Sequence, residues 1–186
     1  MDVVTDKASA RRAARERRAI AALAARDAPQ ALAAAASVLP RAEILAGYVP
    51  IRDEIDPGPL LKVCSVRARI ALPRVGREGL EFLVMGEGDE LVPGPFGLRE
   101  PSGGTRVAPQ LLLVPLLAFT RRGDRLGYGK GHYDRYLAWH PGVRAVGLAY
   151  AAQEVDALPV EAHDAQLWAI LTEQELIVAS SGTVGA

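Results

Sequence analysis

Cys64 is the chain's only cysteine, so an internal disulfide is excluded, and His132, His140 and His163 are too scattered for a zinc site. Long apolar runs are missing too. No stretch approaches the roughly 18 residues that a membrane helix needs, and there is no signal-peptide pattern, so a reducing cytoplasm is the expected compartment. An excess of either charge is also lacking, since 22 basic residues balance 22 acidic ones and the pI is about 6.8. Nothing global therefore draws in nucleic acid or an anionic membrane, and any basic function must be local. Lysine is rare, confined to Lys7, Lys62 and Lys130. Internal repeats and low-complexity segments are absent. What remains is a 186-residue chain, 49% hydrophobic and 24% charged, long enough for one domain with a full core. We place that domain at residues 1–179 and read SSGTVGA at 180–186 as a frayed tail. A monomer is the expected state.

Residues 111–139, LLLVPLLAFTRRGDRLGYGKGHYDRYLAW, organise the chain. Leu111 to Phe119 is apolar except at Pro115 and predicts a strand buried on both faces, as in a parallel sheet. Gly127, Gly129 and Gly131 then alternate with Tyr128 and Lys130, which lets the backbone turn sharply, visit positive φ and bring N–H groups close to an oxyanion. From Gly131 the spacing of Tyr133, Tyr136 and Leu137 predicts an amphipathic helix whose N-terminus favours a phosphate. Two known phosphate motifs fail here. A P-loop requires glycine where Asp124 stands and Ser or Thr where Gly131 stands, and a dinucleotide fingerprint requires its third glycine at His132. Spacing alone thus leaves a phosphate cradle and a plain strand-to-helix turn both open. The one lysine of the loop favours the cradle, because a compact ammonium fits between phosphate oxygens where a planar guanidinium does not.

Residues 6–26 are rich in Ala and Arg and predict a helix capped by Thr5 or Asp6. Lys7, Arg11, Arg15 and Arg18 form one stripe along it, which by itself reads as a solvated basic face. Asp2, Asp6 and Glu16 argue against an organelle presequence. A second helix runs from Pro29 to before Pro40, and Ile44 to Val49 predicts the first strand. Its exit carries Arg52, Asp53, Glu54 and Asp56 where an α/β sheet places ligand-binding groups. A helix over 57–68, a short strand over 69–72 ending at Pro73, and a strand Glu81 to Met85 in an otherwise irregular 74–109 follow. Phe82, Met85 and Phe96 are minor core residues or walls of a flat heteroaromatic pocket, Phe96 foremost for the latter. Val143 to Tyr150 and Leu167 to Thr172 predict two more buried strands. Strands alternating with helices imply a three-layer αβα fold with a mostly parallel central sheet.

The run RLGYGKGHYDRYL at 125–137 resembles the signature of the 5-formyltetrahydrofolate cyclo-ligase family. Lys7 and Arg11 as K-x-x-x-R, GYVPIRDEID at 47–56, LPRV at 72–75, FGLREP at 96–101 and LPVEAHD at 158–164 extend the resemblance over residues 7–173. Three positions depart from the family pattern: His132 replaces a tyrosine, and Thr120 and Trp168 stand where aspartate is frequent.

The resemblance implies the same fold and an ATP-driven conversion of 5-formyltetrahydrofolate to 5,10-methenyltetrahydrofolate, with ADP and phosphate released. It implies that Lys7, Arg11, Arg125 and Lys130 supply positive charge, with Lys130 and Arg125 catalytic. The ATP would lie along Leu126, Gly127, Tyr128, Gly129, Lys130, Gly131, His132 and Tyr133, and the folate against Val49, Glu54, Phe96 and the 128–132 loop. Asp134 and Asp164 are the expected Mg²⁺ ligands; as an isolated residue, Asp164 equally reads as an Asx turn. Two other readings of the residues stay open. One is a nonenzymatic nucleotide- or RNA-binding module using the basic helix, although residues 7–26 hold no aromatics for base stacking. The other is an enzyme like the sugar-phosphate isomerases or CoA-transferases, whose glycine loop would bind phosphate without ATP.

Overall fold

The computed structural model describes residues 6–161 and 163–179. The predicted tail lies outside them, as does the side chain of Phe96. The Ala-rich start is helix α1, Lys7–Ala24, capped by the Asp6 carboxylate, which accepts from Ser9 N–H at 3.1 Å. Helix α2, Ala28–Ala34, opens with its proline in the first turn and passes into a 3₁₀ turn at Ala36–Val38, a shorter helix than the apolar pattern suggested. Strand β1 is Ile44–Ala46, helix α3 Gly58–Cys64, β2 Arg69–Gly76 and β3 Gly79–Val84. Three short strands follow, β4 Leu91–Pro93, β5 Arg99–Pro101 and β6 Thr105–Val107. Then come β7 Leu111–Pro115, β8 Ala118–Phe119, β9 Arg125–Leu126 and helix α4 His132–Trp139. Strands β10 Arg144–Leu148, β11 Ala169–Leu171 and β12 Leu176–Val178 close the chain.

Eight strands form one sheet in the order β12-β11-β10-β7-β1-β2-β3-β6. Strands β11, β10, β7, β1 and β2 run parallel, while β12, β3 and β6 are antiparallel additions at the edges. Period-2 alternation distributes the core between the two faces. Leu45, Leu113, Val146 and Leu171 point to the side covered by α2, α3 and the end of α1. Ile44, Leu112, Val114 and Ile170 point to the side where α4 packs through Tyr136 and Leu137. This is the expected three-layer arrangement. A third cluster joins Ala10 and Ala14 of α1 to Leu117, Ala118 and Leu126, which seats the first half of α1 against the β8–β9 hairpin.

Three local expectations are corrected. The apolar run 111–119 is not one strand: it leaves the sheet at Pro115, and Ala118–Phe119 pairs instead with Arg125–Leu126. Proline at 115 ends the ladder, and the apolar character persists because the hairpin is buried under α1. The strand beginning at 69 does not stop at Pro73 but continues to Gly76. Beyond Ala71 it has outrun β1 and pairs only with β3, an edge position where a missing N–H is tolerated. The segment 74–109 is not mainly irregular, since β3 and β6 extend the sheet and β4–β5 form a separate hairpin.

The chain adds β2 on one side of β1, then returns to place β7 on the other and continues outward through β10 and β11. The reversal lies between β1 and β7. In open parallel sheets a crevice forms there, beyond the carboxyl ends of the strands.

Candidate active site

A cleft of about 630 Å³ occupies that position. Tyr48 and Val49 leave β1 into it, and Pro115 marks the end of β7. Ile51, Arg52 and Glu54 form one wall, with Arg52 held at φ 55°, uncommon for a residue with a side chain. The stripe of α1 and the glycine loop form another. An apolar side is made by Ile51, Val75, Leu80 and Leu98, three of them from the segment that the sequence left largely unassigned.

The glycine loop is shaped by backbone demand. Gly129 has φ 92° and Gly131 has φ 65°, both left-handed, and Gly131 is the N-cap of α4. Gly127 needs no such φ, and a Cβ there would meet nothing within 4 Å, so its backbone is open to the cleft. Arg11 clamps the loop: its Nε donates to Gly127 O at 3.0 Å, and its guanidinium lies where a Cβ on Gly129 would approach to 3.0 Å. Lys130 is exposed on the same loop and lines the cleft.

At the opposite rim Lys7 Nζ donates to Asp164 Oδ2 at 2.7 Å and lies 3.2 Å from Glu161 Oε2. Burial opposes ionisation of both groups of the pair, yet their hydrogen bond holds Asp164 below and Lys7 above the ordinary values. Asp164 also accepts from Glu161 N–H at 2.8 Å, so its turn role and its place in the cleft coexist. Arg125 is tied inward. Its Nη2 donates to Asp134 Oδ1 at 2.6 Å, which also accepts from Ala165 N–H at 3.1 Å, and its Nη1 donates to the Ala165 carbonyl. Burial pulls the Arg125 pKa down, against the pull of Asp134 and Asp164.

Glu54 is 9% exposed, and burial raises its pKa although Ile51 N–H donates to Oε2 at 3.0 Å and Arg18 stands 3.7 Å from Oε1. Tyr128 and Tyr133 are pushed up by the same desolvation, Tyr128 to about 12, so both are neutral phenols at physiological pH. His132 lines the cleft with its pKa lowered by burial, Arg135 and Lys130.

Lys7, Arg11, Val49, Glu54, all of 125–134 and Asp164 thus border one cleft. The backbone of Phe96 lies in the 3₁₀ turn Pro95–Gly97, and its side chain is outside the described residues. Phe82 is core, edge-on to Tyr136 at 4.9 Å. Of the three departures only His132 reaches the cleft. Thr120 Oγ1 is buried and donates to Asp124 at 2.8 Å, while Trp168 is partly buried, packed against the core beneath Arg144. The sequence reading missed Arg18. It is 1% exposed and bonded to Asp53 and Tyr128, not part of a solvated face. Arg15, from the same stripe, borders the cleft.

Asp134 and Asp164 fit a hard cation in donor chemistry. The described bonds engage Oδ1 of Asp134 and Oδ2 of Asp164, and Mg²⁺ accepts one or two carboxylates while keeping its waters.

Comparison with known proteins agrees over most of the chain. The sequence profile of the 5-formyltetrahydrofolate cyclo-ligase family matches residues 4–173. The chain is 34% identical over 146 residues to the 5-formyltetrahydrofolate cyclo-ligase of Escherichia coli K12, covering 73% of this chain and 80% of that one. It is 33% identical over 145 residues to the Mycolicibacterium smegmatis enzyme of that name, covering 71% and 74%. Its fold superposes on the 5,10-methenyltetrahydrofolate synthetase of Aquifex aeolicus with a TM-score of 0.80 at 28% identity, over 97% and 96% of the two chains.

Proposed function

The chain belongs to the 5-formyltetrahydrofolate cyclo-ligase family, and from that premise we propose how its cleft carries out the ATP-dependent closure of 5-formyltetrahydrofolate to 5,10-methenyltetrahydrofolate. One observation supports this use of the cleft above the others. A basic glycine loop and a basic helix stripe meet, in a single cleft, an apolar wall and a buried carboxylate. A triphosphate needs the first pair; a flat heterocycle with N–H donors needs the second.

The formyl group on N5 is amide-like, and its oxygen leaves poorly. That oxygen attacks the γ-phosphorus, an O–P bond forms, and ADP departs with the electron pair of the broken bond. N10 then attacks the activated formyl carbon and gives up its proton. The C–O bond breaks with its electrons on phosphate, and N5–CH–N10 remains as the closed cationic ring. Phosphoryl transfer asks the protein mainly to align and neutralise. Lys130, Arg11 and Lys7 face the phosphates, with the N–H groups of 127–131 on the backbone side. Arg125 holds Asp134 in place and adds charge behind the loop. Glu54 accepts from the N–H donors of the pteridine, against Val49, Tyr128 and the apolar side. Mg²⁺ would be held by Asp134 and Asp164 and would lower the charge on the triphosphate.

The test is absorbance of methenyltetrahydrofolate with and without ATP, paired with an ADP assay. One ADP per product is expected. Product formation independent of nucleotide, or none from folded protein, would overturn the reading.

A further inference from the structure

Arg18 makes contacts that the reaction as written does not use. Its Nε and Nη2 donate to the two oxygens of Asp53 at 3.0 and 3.2 Å, Nη2 also donates to the Tyr128 hydroxyl at 2.5 Å, and Nη1 reaches the Leu116 carbonyl at 3.4 Å. Glu54 Oε1 is 3.7 Å from Nη1. One guanidinium therefore joins α1, the turn after β1, the exit of β7 and the glycine loop. These are four of the segments that enclose the cleft. A buried charge with so many aligned acceptors is costly to assemble and costly to disrupt.

We propose that Arg18 is a positioning residue for the cyclisation, which fixes the Tyr128 hydroxyl and keeps the buried Glu54 carboxylate ionised for the substrate. Asp53 is the counterweight. It takes the bidentate face of Arg18 and so limits how much of that charge reaches Glu54, and it is itself a like charge beside Glu54. The other groups that face Glu54 are Tyr48 from the end of β1, Tyr128 from the glycine loop and Tyr133 from α4, all phenols raised by burial. None of these three supplies a positive charge; Ile51 N–H donates to Oε2 at 3.0 Å, Arg52 lines the same cleft two residues away, and Arg18 at 3.7 Å is the guanidinium paired with the Glu54 carboxylate. The inference rests on the assignment of Glu54 to the folate.

Two variants pull in opposite directions. Arg18→Met removes the cation, so Glu54 holds its proton to higher pH. Asp53→Asn removes a like charge and releases Arg18 toward Glu54, so Glu54 loses its proton at lower pH. Carbon-13 carboxyl NMR on glutamate-labelled protein, with Glu54 identified through Glu54→Gln, reads these midpoints directly. The acid limb of kcat/KM for 5-formyltetrahydrofolate should follow them, upward in Arg18→Met and downward in Asp53→Asn. At neutral pH, Arg18→Met should raise KM for the folate about tenfold, the scale of one charge-assisted hydrogen bond. A merely structural arginine would not move the limb upward in Arg18→Met. Midpoints that stay put, or shift the same way in both variants, overturn the inference. Midpoints that separate while the kinetic limbs do not would remove Glu54 from the folate, and the inference with it. If Arg18→Met does not fold, Arg18→Lys decides, since it keeps a cation but loses the fork to Asp53 and Tyr128: a Glu54 midpoint and a folate KM that both rise uphold the proposal, and an unchanged midpoint and KM end it.

Discussion

Lys7 and Asp164 stand 157 positions apart in sequence and meet at 2.7 Å on the rim of the cleft. In the proposed reaction they face opposite charges, Lys7 a phosphate and Asp164 a cation. Each partner thus holds the place that a ligand group takes when Mg²⁺ and ATP enter together. Lys7→Ala should weaken ATP binding about tenfold or more, as should Asp164→Asn in the presence of Mg²⁺, by calorimetry. Without Mg²⁺, Asp164→Asn should bind ATP no worse than the native protein. The assignment fails if both variants lose affinity equally in either condition.

The same pair sets a stability window. Asp164 is held below 3.8, so its contribution is present above that pH and fades as pH falls through the folded value. Lys7 is held above 10.5, so its contribution is present below that pH and fades as pH rises through the folded value. The difference in melting temperature between native protein and Lys7→Met should be level between these limits and shrink beyond both. A difference that changes steeply near neutrality would place the ionic linkage elsewhere.

Glu54 has the opposite sign for a carboxylate. Burial raises it above 4.5, so the unfolded chain releases this proton first and stability falls as pH rises through that range. Glu54→Gln should therefore be more thermostable at neutral pH, with the gain vanishing below about pH 4.5. It should also lose folate affinity while keeping that for ATP. A loss of ATP affinity with folate binding intact would reverse the assignment.

Lys130 tests charge against shape. Lys130→Ala should lose about ten- to a hundredfold in kcat/KM, the worth of a charge-assisted hydrogen bond. Lys130→Arg should also be impaired, because a planar fork must fit between two glycines. Melting temperature should barely change in either, since the residue is exposed. Full activity in Lys130→Arg would reduce the residue to a point charge, and full activity in Lys130→Ala would make the loop a structural turn.

The glycines of the loop should separate as well. Gly129→Ala puts a side chain at φ 92° and against Arg11, which should cost about 1–3 kcal/mol in stability and loosen the clamp. Gly127→Ala has neither problem, so denaturant unfolding should find its stability close to native. Reduced ATP binding in Gly127→Ala despite that stability would show that phosphate packs against this backbone.

Much of this was readable locally. Strand β7, the glycine turn and α4 follow from an apolar run, alternating glycines and helical spacing, all of which act between near neighbours. The same holds for α1 and for the parallel centre of the sheet. The β8–β9 hairpin between β7 and the glycine turn did not follow, because its pairing is set by burial under α1. The positions of Lys7, Arg11, Glu54, Asp134 and Asp164 came from motif resemblance, and the fold brings them to one cleft. Pro73 shows where local rules mislead. A proline is a strand breaker only if its missing N–H faces a partner, and that depends on where β1 ends.

Arg18 is the clearest case of what tertiary structure alone decided. In sequence it is one more arginine on a basic stripe, one helical turn beyond Arg15, which stays exposed. Its burial requires Asp53, Tyr128 and the Leu116 carbonyl to converge from three distant segments. Helical periodicity can assign a residue to a face, because that is set by 3.6 residues per turn. Whether a charge on that face meets water or a carboxylate depends on long-range packing, since desolvation and pairing are properties of the assembled neighbours and not of the residue.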